Sequence, residues 1–357
     1  MSDSAELGAT IEWFGASTFR LKARGLTIFL DAWLERPKGL PLYLPIDNVD
    51  ECDYIFISHA HFDHLPGADR LAQRTGAIIV ANAEAIHVMR EAGVPESQLM
   101  AVSGGERIPL FTLTQRQKAF ADHTTAGNNQ DGLPPRPQQP GPVEPSPALA
   151  PIAVHVWPSL HCLMPPGDHR SIPEAIDSGT VYMGSGDYEG TMDITRGLKY
   201  GLGGLVKLPH LPSNVGEDMR RFIAYLQDNK TNQCSFYDGG QLLFNFLIGN
   251  QTLLWNSHLG GYSGILKEIT PRPDVAILGL AGRANLNGRP FDGSAAEFVN
   301  QELKWLGEPR KVIWCLHDQG ALNPKYTKTD AATAMVERET SSKVTTLSYD
   351  TPHAVFE

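Results

Sequence analysis

The chain has 357 residues, 41% of them hydrophobic, and a formal net charge of -10, enough apolar material for one large domain or two small ones. The acidic balance argues against a nucleic-acid phosphate backbone as partner, because such binders present a basic face. The start lacks a basic segment followed by an apolar core and no run of about 18 apolar residues occurs, so the sequence predicts a cytoplasmic protein without a leader or a membrane span.

Residues 11–14, 19–22 and 27–30 alternate β-branched or aromatic side chains and are broken by Gly15 and by Arg24-Gly25, which predicts a three-stranded edge meander. Asp31 follows the third strand. The proline-rich stretch 37–45 predicts an extended loop that walls a pocket or a subunit contact. Residues 54–57 predict a buried strand running into His59-Ala60-His61-Phe62-Asp63-His64, with helical character over 63–74. A strand at 77–81 and a helix at 84–91 form a βα unit that covers one sheet face; His87 reads as a helix-face residue.

Composition then changes. Over 117–151 Gly, Pro, Gln and Asn dominate and no hydrophobic period survives, so the stretch reads as an insertion, either disordered or a lid. A strand resumes at 152 and leads to His161, with His155 mid-strand, on the opposite sheet face or within the core. Asp168, His169 and Arg170 form a polar cluster, either a substrate-contacting loop or a solvated turn. Gly201-Leu202-Gly203-Gly204 reads as a turn. Residues 217–229 have helical spacing, and 241–248 with 252–255 flank Gly249-Asn250-Gln251 as a hairpin. Buried strands at 275–280 and 311–316 enclose a helix at 295–306, and the second ends at His317-Asp318. The four cysteines, Cys52, Cys162, Cys234 and Cys315, are widely spaced and read as reduced. Cys162 and Cys315 stand near ligand candidates but read better as small buried side chains.

The stretch from His59 to His64 carries the chemistry. His59, His61, Asp63 and His64 can all bind a transition metal, and they follow a buried strand where chain reversal turns them towards one point. Neutral imidazole suits zinc or iron, a carboxylate adds negative charge, and about four ligands serve one ion, so these residues can seed two adjacent sites. A polar loop with surface histidines is the bland alternative.

The pattern His-x-His-x-Asp-His formed by these four residues resembles the signature of the metallo-β-lactamase superfamily. Residues 11–21 and 27–33 resemble the opening strands of the branch that holds ascorbate-6-phosphate lactonase and the N-acyl-phosphatidylethanolamine phospholipases. The resemblance implies an α/β fold, a four-layer αββα sandwich, with residues 1–357 as a single domain interrupted by the insertion at about 117–151. It implies that His59, His61 and His161 hold one ion and that Asp63, His64 and His317, with His258, hold or orient a second. Zinc is the expected metal, with manganese or iron as alternatives. Asp31 would either accept a proton from a ligand histidine or form a plain turn. For the position where the family has a carboxylate bridging both ions, Asp187 and His258 compete, and the order of elements favours His258.

The implied activity is a metal-dependent hydrolysis of a small ester, with a lactone favoured, by water that the ion activates. Asp63 and His258 are the expected catalytic residues. A phosphodiesterase acting on a small or lipid phosphodiester is one alternative, and a metal-binding module without catalysis is another. The expected partner is a small-molecule ester or lactone, with no nucleic acid and no membrane span; homo-oligomerisation is left open.

Overall fold

The computed structural model describes residues 8–126, 143–163, 196–318 and 326–357. In chain order the strands are β1 Thr10–Trp13, β2 Phe19–Ala23, β3 Leu26–Leu30, β4 Tyr54–Phe56, β5 Ile78–Ala81, β6 Leu99–Ala101, β7 Arg107–Leu110, β8 Ile152–Pro158, β9 Leu242–Ile248 and β10 Gln251–Asn256. They continue with β11 Gly260–Gly261, β12 Val275–Gly279, β13 Asn285–Leu286, β14 Arg289–Pro290, β15 Lys311–Cys315, β16 Lys343–Val344 and β17 His353–Ala354. One seven-stranded sheet has the order β17-β1-β2-β3-β4-β5-β6 and a second has β16-β15-β12-β10-β9-β8-β7; β11, β13 and β14 form a small third sheet.

Side-chain alternation along the strands explains the layering, because successive residues face opposite sides of a sheet. Tyr54 and Phe56 of β4 join the core between the two large sheets, whereas Ile55 and Ile57 join the cluster outside the first sheet. Phe244 and Phe246 of β9 with Leu253 and Trp255 of β10 also face inward, while Leu243 and Leu254 face outward. Both faces of these strands are apolar, and each large sheet carries helices on its outer side. Ala68–Thr75 and Ala83–Glu91 cover the first sheet. Ser263–Glu268, Ala295–Trp305 and Asp330–Glu339 cover the second. The result is an αββα sandwich. A satellite cluster joins Phe62 of the ligand-bearing loop to Phe222, Ile223, Tyr225 and Leu226 of the helix Glu217–Gln227.

Three expectations need adjustment. The meander of β1 to β3 is not at the edge, since β17 pairs outside β1. The first part of the stretch 117–151 is helical, within Leu113–Ala126. Thr112 and Gln115 form a reciprocal cap at its start, with Gln115 N donating to Thr112 Oγ1 at 3.2 Å and Thr112 N to Gln115 Oε1 at 2.9 Å. Residues 127–142 lie outside the described residues. Gly201 to Gly204 fall in the helical turns Gly197–Leu202 and Gly203–Val206 rather than a simple turn. No helix among the described residues is long and apolar enough to cross a membrane.

Candidate metal centre

The ligand loop leaves β4 deep in the fold, and Ile57 N still donates to Val80 O at 2.9 Å. The loop is closed at its far end by Gly67, whose φ of +110° is open to glycine and whose Cβ position would fall 3.1 Å from Ala32 O and from Leu34 Cβ. Between these points the chain is tied on several sides. Ala32 N donates to His64 O at 2.9 Å, Ser235 N donates to Ala60 O at 2.8 Å, and Ala60 N donates to Asp238 O at 3.1 Å. The Tyr225 hydroxyl accepts from Trp33 Nε1 at 3.0 Å and stands 3.0 Å from Phe62 O and 2.9 Å from Glu35 O, its acceptors.

Asp31 is the hub beneath the loop. Its Oδ1 accepts from Ser58 N at 2.8 Å, and its Oδ2 accepts from Ser17 Oγ at 2.6 Å, from Ser58 Oγ at 3.0 Å and from His64 Nδ1 at 2.5 Å. That last bond places the ring proton on Nδ1 and turns Nε2 outward as a lone pair, the arrangement by which a carboxylate prepares a histidine for metal. His64 Nε2 is buried without a hydrogen-bond partner, and Asp63 Oδ1 is 3.6 Å from it. Burial opposes charge on His64, but Asp31 and Asp63 outweigh it and raise the pKa.

The other histidines arrive from the second sheet. His161 follows β8, and its Nδ1 donates to Cys162 O at 2.7 Å, which leaves Nε2 as the binding nitrogen. His258 follows β10 on a turn that crosses close over the end of β12, where a Cβ on Gly279 would fall 2.8 Å from His258 Cα and 2.1 Å from Ser257 O. The His161 and His258 ring centroids are 3.8 Å apart, His59 lies 4.0 Å from His64 and 4.7 Å from His258, and His61 lies 4.5 Å from His59 and 4.9 Å from His161. Among the described residues two groups have ligand atoms within 4.8 Å of one another: His59, His161 and His258, and His59, Asp63 and His64. His59 Nε2 is 3.0 Å from His61 Nδ1. Burial, then the neighbouring imidazoles, hold His59, His61 and His258 well below the usual histidine range. These rings are therefore neutral, the form that binds an ion.

Residues 28–170 match the family model described as the metallo-beta-lactamase superfamily. Over those residues the chain is similar to that superfamily. A relative from Pyrobaculum islandicum called a UPF0173 metal-dependent hydrolase is 34% identical over 114 residues, which cover 32% of this chain and 50% of the relative. The chain thus spans about half the length of that curated relative. Among solved structures, Igni18, described as a novel metallo hydrolase from Ignicoccus hospitalis, has a TM-score of 0.51 at 15% identity, covering 97% of each chain. CmlA, a diiron β-hydroxylase from Streptomyces venezuelae, has a TM-score of 0.51 at 12% identity, covering 97% of this chain and 53% of that one. These two likenesses concern the fold alone.

Of the expected site residues, the structure brings together His59, His61, Asp63, His64, His161 and His258. It groups His258 with His59 and His161 rather than with Asp63 and His64. His317 stands in neither group. Leu316 before it has φ +56°, and the His317 ring stacks on Trp13 with centroids 5.1 Å apart. Burial lowers the pKa of His317 to about 4. Asp168, His169, Arg170 and Asp187 lie outside the described residues. Cys162 and Cys315 are buried, and burial raises both thiols, Cys162 to about 12, so they remain protonated and belong to the apolar packing. His155 pairs in register with Arg107 and Asn245 and takes no part. Ser17 and Ser58 were missed by sequence reasoning; the only local signal was Ser58 standing next to His59.

Proposed function

We propose that this chain is a metal-dependent hydrolase of a small ester, with a lactone as the favoured substrate class. The observation that carries the reading is a set of buried nitrogens that hydrogen bonding leaves unused. Among the described residues His258 has neither ring nitrogen hydrogen-bonded and His64 Nε2 has no hydrogen-bond partner, although both side chains are buried. Buried polar atoms are rarely left so without an ion or water to satisfy them. The donor set of neutral imidazoles with one carboxylate fits zinc, with iron or manganese as alternatives.

His59, His161 and His258 would hold one ion, with His61 beside them. Asp63 and His64, within reach of His59, would hold a second. Bound ions would supply Lewis acidity and lower the pKa of water from about 16 towards about 7. The chain's own residues prepare the rest. Asp31 keeps His64 in the tautomer that leaves Nε2 free, and Cys162 O does the same for His161. Asp63 is the one carboxylate of the two groups, and with 22% of its side chain exposed it reaches solvent where the histidines do not. It is the group placed to take a proton from water and return it to the leaving alkoxide. His258 as a neutral imidazole offers one lone pair rather than a two-oxygen carboxylate, so it cannot join two ions as a carboxylate can.

The test is turnover of lactone and phosphodiester panels by zinc-loaded protein. Lactone hydrolysis that disappears on chelation supports the reading. Turnover of phosphodiesters alone overturns the substrate class, and tight zinc binding with no turnover on either panel overturns the assignment as a hydrolase of these substrates.

A further inference from the structure

Glu302 lies on the inward stripe of the helix Ala295–Trp305, 1% exposed, beside Phe298, Val299 and Leu303. A carboxyl is costly in such surroundings unless hydrogen-bonded. Its Oε1 accepts from Asn256 Nδ2 at 2.9 Å. The same amide nitrogen donates to Gly260 O at 3.0 Å, while Asn256 Oδ1 accepts from Ser159 Oγ at 3.0 Å. Ser159 Oγ also stands 3.1 Å from Gly260 O.

The positions of these partners give the network its meaning. Asn256 is two residues before His258, Gly260 two after it, and Ser159 two before His161. One amide thus ties the end of β8 to the turn after β10, where the two rings meet. The fit is close, since a Cβ on Gly260 would fall 2.4 Å from Leu160 O. Among the described residues His258 has no hydrogen bond on either ring nitrogen, so no hydrogen bond at the ring fixes its place. Its support has to come through the backbone.

We propose that Glu302 is a positioning residue for the His161–His258 pair, acting through Asn256 and Ser159 on the two strand ends that carry those histidines. This rests on the reading of that pair as metal ligands. Burial raises the Glu302 carboxyl to about 8, so near neutrality it is largely the protonated acid. Glutamine then presents the same carbonyl oxygen to Asn256, and leucine presents none.

The experiment measures zinc affinity of the full chain by competition with a chromophoric chelator, alongside the melting temperature of the metal-free form. Glu302→Leu should weaken zinc binding by about 10–100-fold, the range for losing a residue that orients a ligand. The metal-free melting temperature should not fall, because an apolar side chain suits the surrounding cluster. Glu302→Gln should restore wild-type affinity, which a purely space-filling role would not distinguish from leucine. Ser159→Ala, which leaves the helix untouched, should shift affinity in the same direction as leucine and decides the matter if Glu302→Leu fails to fold. Wild-type affinity in Glu302→Leu or in Ser159→Ala, or equal weakening by glutamine and leucine, would overturn the positioning role alone. A wild-type chain that binds no zinc would overturn the metal-centre reading as well.

Discussion

The two halves of the candidate centre are supported in different ways. On the side of the first sheet, His64 is held at the ring: Asp31 accepts its Nδ1 proton and also gathers Ser17 and Ser58. On the side of the second sheet, His258 has no bond at the ring and is placed by the turn that bears it, braced from behind by Asn256 and Glu302. The first arrangement fixes the tautomer before any ion arrives. The second fixes only position, and it leaves the imidazole free to offer either nitrogen. Disturbing the first half should therefore damage folding and binding together, whereas disturbing the second should alter binding more than stability.

The largest effect is expected at Asp31. Asp31→Ala strands the Ser17 and Ser58 hydroxyls, the Ser58 amide and His64 Nδ1 in a buried place, at a cost of roughly 3–5 kcal/mol for the group. Denaturant unfolding of the metal-free protein measures it. A loss below about 1 kcal/mol, the size of one ordinary hydrogen bond, would show that the hub is not the anchor claimed for it.

Glu302 should have a smaller effect, visible in the pH dependence of stability. Its folded pKa of about 8 lies above the ordinary 4.5, so between those values the folded state keeps a proton that the unfolded chain releases. Its contribution is complete below about 4.5 and is lost as pH rises through about 8. Glu302→Gln should remove that slope, so that the metal-free variant loses less stability than wild type between pH 5 and pH 8, by on the order of 3 kcal/mol. Parallel stability profiles for the two proteins would contradict it.

The smallest change is a gain. His258→Asp places a two-oxygen ligand where imidazole can bind one ion, so the occupancy of a second ion should rise. Metal analysis at limiting zinc checks this, and an unchanged or lower metal content would argue that a carboxylate at this position does not reach a second ion.

What could be read from the sequence follows the distance over which each feature is encoded. The His59 to His64 pattern is local, and a buried strand in front of it suffices to place it. The hairpin β9–β10 made His258 readable at the next strand end, and Asp31 at the end of β3 was readable as one of two alternatives. The Glu302–Asn256–Ser159 brace was not readable, because 46 residues separate the first pair and 97 the second. One trace of it stood in the sequence: Glu302 interrupts the apolar stripe of Phe298, Val299, Leu303 and Leu306, where a charge needs a partner. The cap formed by Thr112 and Gln115 was equally local, but the turn-rich composition that follows hid the helix it begins. His317 occupies the expected strand end, yet the direction of its ring depends on Leu316 at positive φ and on Trp13, neither of which a motif encodes.

The central claim is that the five histidines and Asp63 form a metal centre. Bound zinc per chain, measured after stripping with chelator, reloading and gel filtration, tests it most directly, with wild type and His61→Ala compared and far-ultraviolet circular dichroism recorded for both. The account predicts roughly one to two ions per wild-type chain and a loss of bound zinc in His61→Ala with an unchanged spectrum. A wild-type chain that retains no zinc, or a His61→Ala variant with undiminished content, would contradict it.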